Sequence, residues 1–496
     1  MQQILFNNRY VSLGDTFYVK TKPLPVASPS LIKFNDELAR ELGLSVSNLS
    51  SDDGAAIFSG NSIPEGAEPL AMAYAGHQFG HFNPQLGDGR AILLGEVVSP
   101  DGARFDLQLK GSGRTLYSRG GDGRAALGPV LREYLVSEAM KKLSVPTTRA
   151  LAVVTTGEEV ARERLLPGGI ITRVASSFVR VGTFQFFYAK GDAEAVQKLA
   201  DHVIERNYPA AGEAENPYVA LLKAAVDRQA ALIAQWMQLG FIHGVMNTDN
   251  MSIAGETIDY GPCAFMDIYA HDQVFSSIDR EGRYAYSNQP SIGLWNLTRL
   301  AEALLPLLAE TSEAAIEVAQ DILESYIERY QDDWLAGMQA KCGLFVTSDK
   351  TNEDDKALIE ELLNTMAANH ADFTLTFFYL SQLASHASEQ DSDIKNLFDD
   401  QAQLESWLTK WRQRLTRETL SDAERQEKMQ AVNPVYIPRN HQIEAAIRAA
   451  EDHDDFSVFH ELHEVLQNPY LQQEGKARYS LPPEPDEVVQ QTFCGT

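Results

Sequence analysis

The chain has 496 residues, 44% hydrophobic and 22% charged, enough for a large core and for two to four domain-sized units, and too apolar for a disordered chain. Its 42 basic and 69 acidic residues leave a net charge of −27, which repels phosphate backbones and anionic lipid. Nucleic acid and membranes are therefore poor partners, and basic protein surfaces are better ones.

The N-terminus, MQQILFNNRYVSLGDTF, lacks the charged-then-apolar layout of a signal peptide, and no apolar run is long enough to span a bilayer. Cys263, Cys342 and Cys494 form no C-x-x-C pair, so neither a disulfide framework nor a zinc knuckle is expected. A soluble, cytoplasmic protein in a reducing compartment is the expectation. Residues 1–75 mix Pro, Ser and Gly with one helical pattern, SLIKFNDELARELGL, at about 30–44. Residues 86–110, LGDGRAILLGEVVSPDGARFDLQLK, alternate around the turn Pro100-Asp101-Gly102-Ala103, which predicts a β-hairpin. PVLREYLVSEAMKKL (129–143) has helical spacing, with Pro129 suited to the first turn. Short strands are predicted in RALAVVTT, GIITRVA and VGTFQFFY.

From about residue 191 the pattern turns helical, starting with DAEAVQKLADHVIERN and ALLKAAVDRQAALIAQWMQL. A hairpin around 249–260 interrupts it, helices resume from about 293 to 465, and the tail LPPEPDEVVQQTFCGT reads as irregular. No repeat of solenoid period is present. A smaller β-rich lobe with one helix, followed by a larger helical lobe, is the bilobed plan of protein kinases. The expectation is thus an α+β, kinase-like fold. It divides into an N-terminal extension (1–75), a nucleotide-binding N-lobe (76–190), a C-lobe (191–345) with its catalytic hairpin at 243–261, and a C-terminal helical region with tail (346–496).

The stretch FIHGVMNTDNMSIAGETIDY (241–260) carries the sharpest chemistry. A protein kinase reads H-R-D-x-x-x-x-N here, whereas this chain has His243, Gly244 and Val245, with its acid only at Asp249, beside Asn250. A two-residue turn at Ala254-Gly255 would pair position 250 with 259. Asn250 and Asp259 would then offer an amide oxygen and a carboxylate to one hard cation such as Mg²⁺, alongside nucleotide phosphates. Asp259-Tyr260-Gly261 also parallels the kinase D-F-G. Lys110 ends the strand LQLK where a kinase places its phosphate-binding lysine, and Glu133 and Glu138 are both positioned to be its helix partner.

G-x-G-R occurs three times in forty residues, as Gly87-Asp88-Gly89-Arg90, Gly111-Ser112-Gly113-Arg114 and Gly121-Asp122-Gly123-Arg124. Glycines let backbone N–H groups turn toward an anion, and arginine adds a bidentate phosphate partner. With Arg119, these arginines cluster in an otherwise acidic chain, which points to phosphate binding. Arg173 and Arg180, in TRVASSFVR, fall where the cleft between lobes would lie. Two histidine pairs are set aside as metal sites. His77 and His81 are separated by Gly80, which argues against a helix, and His460 and His463 are three apart where a zincin needs four.

Long blocks of the chain resemble the selenoprotein O family (SelO, also called YdiU). They are YAGHQFGHFNPQLGDGRAILLGE, LQLKGSGRTLYSRGGDGRAALGPVLREYLVSEAM, ITRVASSFVRVGTFQFF, GFIHGVMNTDNMSIAGETIDYGPCAFMD and RYAYSNQPSIGLWNLTRLAEAL, spanning roughly 74 to 305. The resemblance implies a kinase-like fold in which ATP lies inverted, so that AMP rather than the terminal phosphoryl group passes to a hydroxyl side chain of a protein. Some members are described as using UTP with manganese to attach UMP. By resemblance, Asp249 is the proton acceptor, and Asn250 and Asp259 ligate Mg²⁺ (or Mn²⁺). Gly87, Gly89, Arg90, Lys110, Asp122, Gly123, Arg173 and Arg180 contact the nucleotide, and Glu133 rather than Glu138 partners Lys110. The other classes weighed are a kinase-type phosphotransferase, disfavoured by the missing third-slot Asp, and a silent nucleotide-binding scaffold, disfavoured by the retained Lys110, Asn250 and Asp259. The chain departs from the family's terminal C-x-x-U or C-x-x-C pair, because Gln491 stands three residues before Cys494. Redox control through an internal terminal disulfide is therefore not expected, although Cys494 could form a mixed disulfide.

Overall fold

Along Arg104–Lys110 the apolar Phe105, Leu107 and Leu109 alternate with Asp106, Gln108 and Lys110, so one face of the strand is oily and the other polar. In the computed structural model, which describes residues 4–493, this strand lies at the centre of a mixed α+β fold. The strands are β1 (Tyr18–Lys20), β2 (Ser30–Phe34), β3 (Leu70–Met72), β4 (Gly76–Gln78), β5 (His81–Asn83), β6 (Ala91–Val98), β7 (Arg104–Lys110), β8 (Ala125–Ala126), β9 (Arg149–Ala161) and β10 (Leu165–Ala175), with a short pair, β11 (Phe241–Ile242) and β12 (Ala264–Phe265), in the helical part. An eight-stranded antiparallel sheet runs β1-β3-β6-β7-β10-β9-β2 with β8 alongside β10, while β4 and β5 form a separate small hairpin.

The two faces of the sheet are covered differently. Leu107 and Leu109 enter a core with Leu38, Leu49, Ile57 and Phe58 from three short helices, Asp36–Glu41, Val46–Leu49 and Asp52–Phe58. The helix Leu127–Lys142 packs against β9 and β10, sharing a core in which Leu131 and Leu135 join Val153 and Ile171. Gln108 is the register partner of Arg173 on β10. Outside the sheet the chain is mostly helical. The helix Pro217–Leu239 starts at Asn216, whose side chain accepts from the Tyr218 and Val219 N–H groups, and stops at Gly240 in the left-handed region (φ +69°). Such a cap contributes about 1 kcal/mol, and the stop delivers the chain directly into residues 241–250. Among the described residues no helix is long and apolar enough to cross a membrane.

The last helices return to the sheet. Asn440–His453 and Ser457–Leu466 pack on Leu127–Lys142. The Gly128 N–H donates to Glu451 Oε1 (2.9 Å), and Arg132 donates to Asn440 Oδ1 (3.2 Å) and Glu444 Oε1 (2.5 Å). Just before them, the fully buried Arg439 pairs with Asp267 and with Asp372 (2.8 Å), and its Nη2 donates to the Ser480 carbonyl (2.8 Å).

Four sequence expectations are corrected. Only Asp36–Glu41 of the 30–44 pattern is helix. Ser30–Phe34 is strand β2 on β9, and the Asn35 side chain, accepting from the Leu38 N–H (3.1 Å), marks the change. VGTFQFFY is a helix, Val181–Tyr188, not a strand. Residues 181–187 are all buried, so no polar face reveals its period. The β-rich part accordingly holds several short helices besides Leu127–Lys142. The 249–260 segment turns at Ala254-Gly255, with the Gly255 N–H donating to the Ser252 carbonyl (3.2 Å), but it is not a hairpin. Ser252 bridges Arg180 and Thr257 bridges Thr147, so the flanks pair outward rather than with each other. Cys494 lies outside the described residues.

Behind this segment, Glu256 accepts the Ser176 N–H (3.1 Å). Burial pushes its carboxyl from 4.5 up to about 7, against the pull of that hydrogen bond and of Arg206. Between those values the folded chain keeps a proton that the unfolded chain has released, so the group's stability penalty grows as pH rises from about 4.5 to 7. Glu256→Gln, which keeps the shape and the acceptor, is expected to stabilise the protein by on the order of 2 kcal/mol at pH 8 and by less than half of that at about pH 5.5. Urea denaturation at both pH values checks this, and a gain of equal size at both would contradict it.

Candidate functional site

The polar face of β7 opens onto a cavity of about 720 Å³. Gly87, Gly89 and Arg90, leading into β6, line it, as do Lys110 at the end of β7, Asp122 and Gly123 before β8, Arg173 on β10, and Arg180 at the start of the helix Val181–Tyr188. Asp249, Asn250 and Asp259, from the loop after the helix Pro217–Leu239, line it too. Of the three G-x-G-R turns, the first and third line the cavity and the second does not; Arg114 instead donates to the Gly120 carbonyl (3.3 Å). Gly87 and Gly123 are left-handed (φ +69° for both), and a Cβ on Gly87 would overlap the Tyr117 ring. These turns therefore require glycine.

Asp259 is the electrostatic centre. Its Oδ1 accepts from Lys110 Nζ (3.2 Å) and Arg173 Nη1 (2.7 Å), and its Oδ2 from Arg180. Burial pushes this carboxyl up, but Arg180, Arg173 and Lys110 together overcome it and hold the group well below the usual carboxylate range. Lys110 also pairs with Glu133 (2.6 Å), which Arg173 approaches at 3.2 Å. Glu138 faces away, bonded to Arg149 (2.8 Å) and Asn35 (2.8 Å), so of the two glutamates only Glu133 reaches the site. Arg173 Nη2 donates to Gln108 (2.5 Å), and Gln108 Nε2 donates to Asp88 Oδ2 (3.1 Å). The Nε–H groups of Arg173 and Arg180 are buried without an acceptor among the described residues.

Asp249 sits on the facing loop. Burial pushes its carboxyl up to about 6, against a hydrogen bond from Gln78 and the charge of Arg180. The amide nitrogen of its neighbour Asn250 donates to the Val245 carbonyl (3.0 Å), leaving the amide oxygen for another group. His243 is fully buried, stacked on Trp236 and bonded to the Ile258 carbonyl (2.8 Å), so it braces the loop rather than lining the cavity. Tyr260 is buried and bonded to Thr147. Asp259 itself is left-handed (φ +62°), a conformation that Asp and Asn tolerate better than most residues.

Among the lining residues that sequence reasoning did not assign to the site are Tyr74, Gln78, Asp88 and Arg162. Asp88 stood in plain view inside Gly87-Asp88-Gly89-Arg90. Arg162, which pairs with Asp122 (2.8 Å), lies between two strands with no motif to flag it. His77, set aside as a ligand, is bonded to Gln185 (2.9 Å), and His463 to Gln467 (3.1 Å).

A family profile described as "Protein adenylyltransferase SelO" matches residues 1–467. The chain is 59% identical over 491 residues to the "Protein nucleotidyltransferase YdiU" of Rhodopseudomonas palustris (strain BisB5), covering 99% of both. It is 58% identical over 491 residues to the protein of that name from Bradyrhizobium diazoefficiens, again covering 99% of both.

Proposed function

Because the chain belongs to the SelO family, as a protein nucleotidyltransferase, we propose that it moves AMP from ATP to a Ser, Thr or Tyr hydroxyl of a protein, releasing pyrophosphate. The observation that carries this reading is the convergence of Lys110, Arg173 and Arg180 on Asp259, in the cavity that Asp249 also lines, with Arg180 Nη1 donating to the Asp249 carbonyl (2.5 Å) as well. The two buried guanidinium N–H groups without acceptors are what an anionic ligand would satisfy.

In this reading Gly87, Gly89 and Gly123 let the backbone approach the nucleotide, while Arg90, Lys110, Arg173 and Arg180 surround its phosphates. Asp122, held by Arg162, borders the same ligand. Glu133 keeps Lys110 extended. The acceptor oxygen attacks the α-phosphorus, the bond to the β-phosphate oxygen breaks, and the hydroxyl proton passes to the Asp249 carboxylate. Pyrophosphate departs with growing negative charge, which the arginines and Lys110 stabilise. Asn250 and Asp259 present hard oxygen donors suited to Mg²⁺ or Mn²⁺, and such a cation would neutralise phosphate charge beside them.

We read the architecture as kinase-like and bilobed. The strand-end lysine paired with a helix glutamate, and the facing loop that ends in Asp-Tyr-Gly, support residues 76–190 and 191–345 as the two lobes. We read the residues before 76 as an N-terminal extension, which adds β1, β2 and β3 to the sheet and covers one of its faces with three short helices, and those from 346 on as a C-terminal helical region and tail.

Purified protein given ATP labelled separately at the α- and γ-phosphates, with magnesium and a cell extract, tests the reaction. Label entering protein only from the α position is the expected result. Transfer of γ-label would make the chain a kinase, and bound ATP with neither label moving would make it a scaffold. Unlabelled UTP added as competitor tests whether UMP is an alternative.

A further inference from the structure

The β4–β5 hairpin lies against residues 247–249, and the mechanism leaves it without a task. Three successive residues clamp it down. The His77 N–H donates to Thr248 Oγ1 (2.7 Å), Gln78 Nε2 to Asp249 Oδ2 (3.1 Å), and the Phe79 N–H to Asn247 Oδ1 (3.1 Å). Tyr284 OH donates to the same Asn247 oxygen (2.6 Å), and Gln185 secures the His77 ring (2.9 Å). The hairpin lies so close that a Cβ on Gly76 would overlap Asp249 Oδ1.

The two oxygens of Asp249 are therefore unlike. Oδ1 is sealed against Gly76, buried and without a hydrogen-bond partner among the described residues. Oδ2 is on the side of Gln78, which lines the cavity with Asp249. An acceptor hydroxyl can reach only the second. A carboxylate oxygen has two lone-pair directions; an amide N–H in one of them fixes the rotamer and leaves the other for the incoming proton.

We propose that Gln78 is a positioning residue for nucleotidyl transfer, holding Asp249 so that Oδ2 receives the acceptor's proton. This rests on the reading of Asp249 as the proton acceptor. It also assigns the whole 76–83 hairpin, anchored on residues 247–249, to the acceptor side of the site rather than to nucleotide binding.

Gln78→Met keeps the length of the side chain and removes only the amide. In full-length protein with α-labelled ATP and a cell extract, the rate at saturating ATP is expected to fall about ten- to a hundredfold. The KM for ATP and the urea midpoint should stay within twofold and within error of wild type, respectively. Placed in an Asp249→Asn background, Gln78→Met should cause no further loss, since it acts through that carboxylate. A near-normal rate in Gln78→Met beside an inactive Asp249→Asn would overturn the inference alone. A loss carried by KM, or one that multiplies in the double variant, would also overturn it. An Asp249→Asn protein as active as wild type would remove the proton-acceptor reading and this inference together.

Discussion

Asp259→Asn is expected to lower transfer of α-label about a thousandfold or more while the chain stays folded. Removing one preorganised electrostatic contact commonly costs about 10²–10³ in rate, and Asp259 organises three. Lys110 and Arg173 meet its Oδ1 at 3.2 and 2.7 Å, and Arg180 meets its Oδ2. An amide keeps the size but cannot hold three cations in register or offer a cation a carboxylate. Asparagine is preferred to alanine because position 259 is left-handed (φ +62°), where alanine would add strain of about 1 kcal/mol. Arg180 loses its paired carboxylate, while Lys110 and Arg173 are left to share Glu133, so a fall in stability of about 3 kcal/mol should accompany the change. Labelling and urea denaturation read the two effects separately. More than a tenth of wild-type transfer remaining would remove Asp259 from the centre of the mechanism.

The second large effect lies away from the chemistry. Arg439→Leu is expected to destabilise the protein by about 3–5 kcal/mol, because the buried Asp372 and the partly buried Asp267 then remain without a counter-charge. Burial already pushes the Asp267 carboxyl up despite the opposing pull of Arg439. Ser480 loses donors to its carbonyl as well. The cost comes from stranded charges and not from lost attraction, so adding Asp372→Leu should recover part of it. A shift in the urea midpoint worth under about 1 kcal/mol for Arg439→Leu, or a purely additive double variant, would show that the triad is solvent-relieved.

What the sequence disclosed was mostly local. Glycine turns beside arginine and a lysine ending an alternating strand are short-range patterns, and they led to residues that the fold gathers around one cavity. The choice between Glu133 and Glu138 was not available from periodicity, because both point inward from one helix. It is decided by what lies opposite: Lys110 and Arg173 for the first, Arg149 and Asn35 for the second. VGTFQFFY misled because it is buried on every side, so it carries no amphipathic period and its aromatic content resembles a strand. The 249–260 segment misled in another way. Its turn chemistry was right, but its flanks found partners at Arg180 and Thr147, far off in sequence. Gln78 and Arg162 stand in no motif, and only the folded chain brings them to the site.

The closure of the last helices over Leu127–Lys142 has a consequence for biosynthesis. Arg132 is 308 residues from Asn440, its partner on the far side of that helix. At about 5–20 residues per second, the helix that carries Glu133 leaves the ribosome roughly 15 to 60 s before the segment that covers it. Until then Arg132 lacks its carboxylate, and the helix that holds Lys110's partner is braced on one side only. A nascent chain thus carries all the cavity residues long before it can hold them rigid, and competence for transfer should arrive only once residues 440–466 have emerged and packed on that helix.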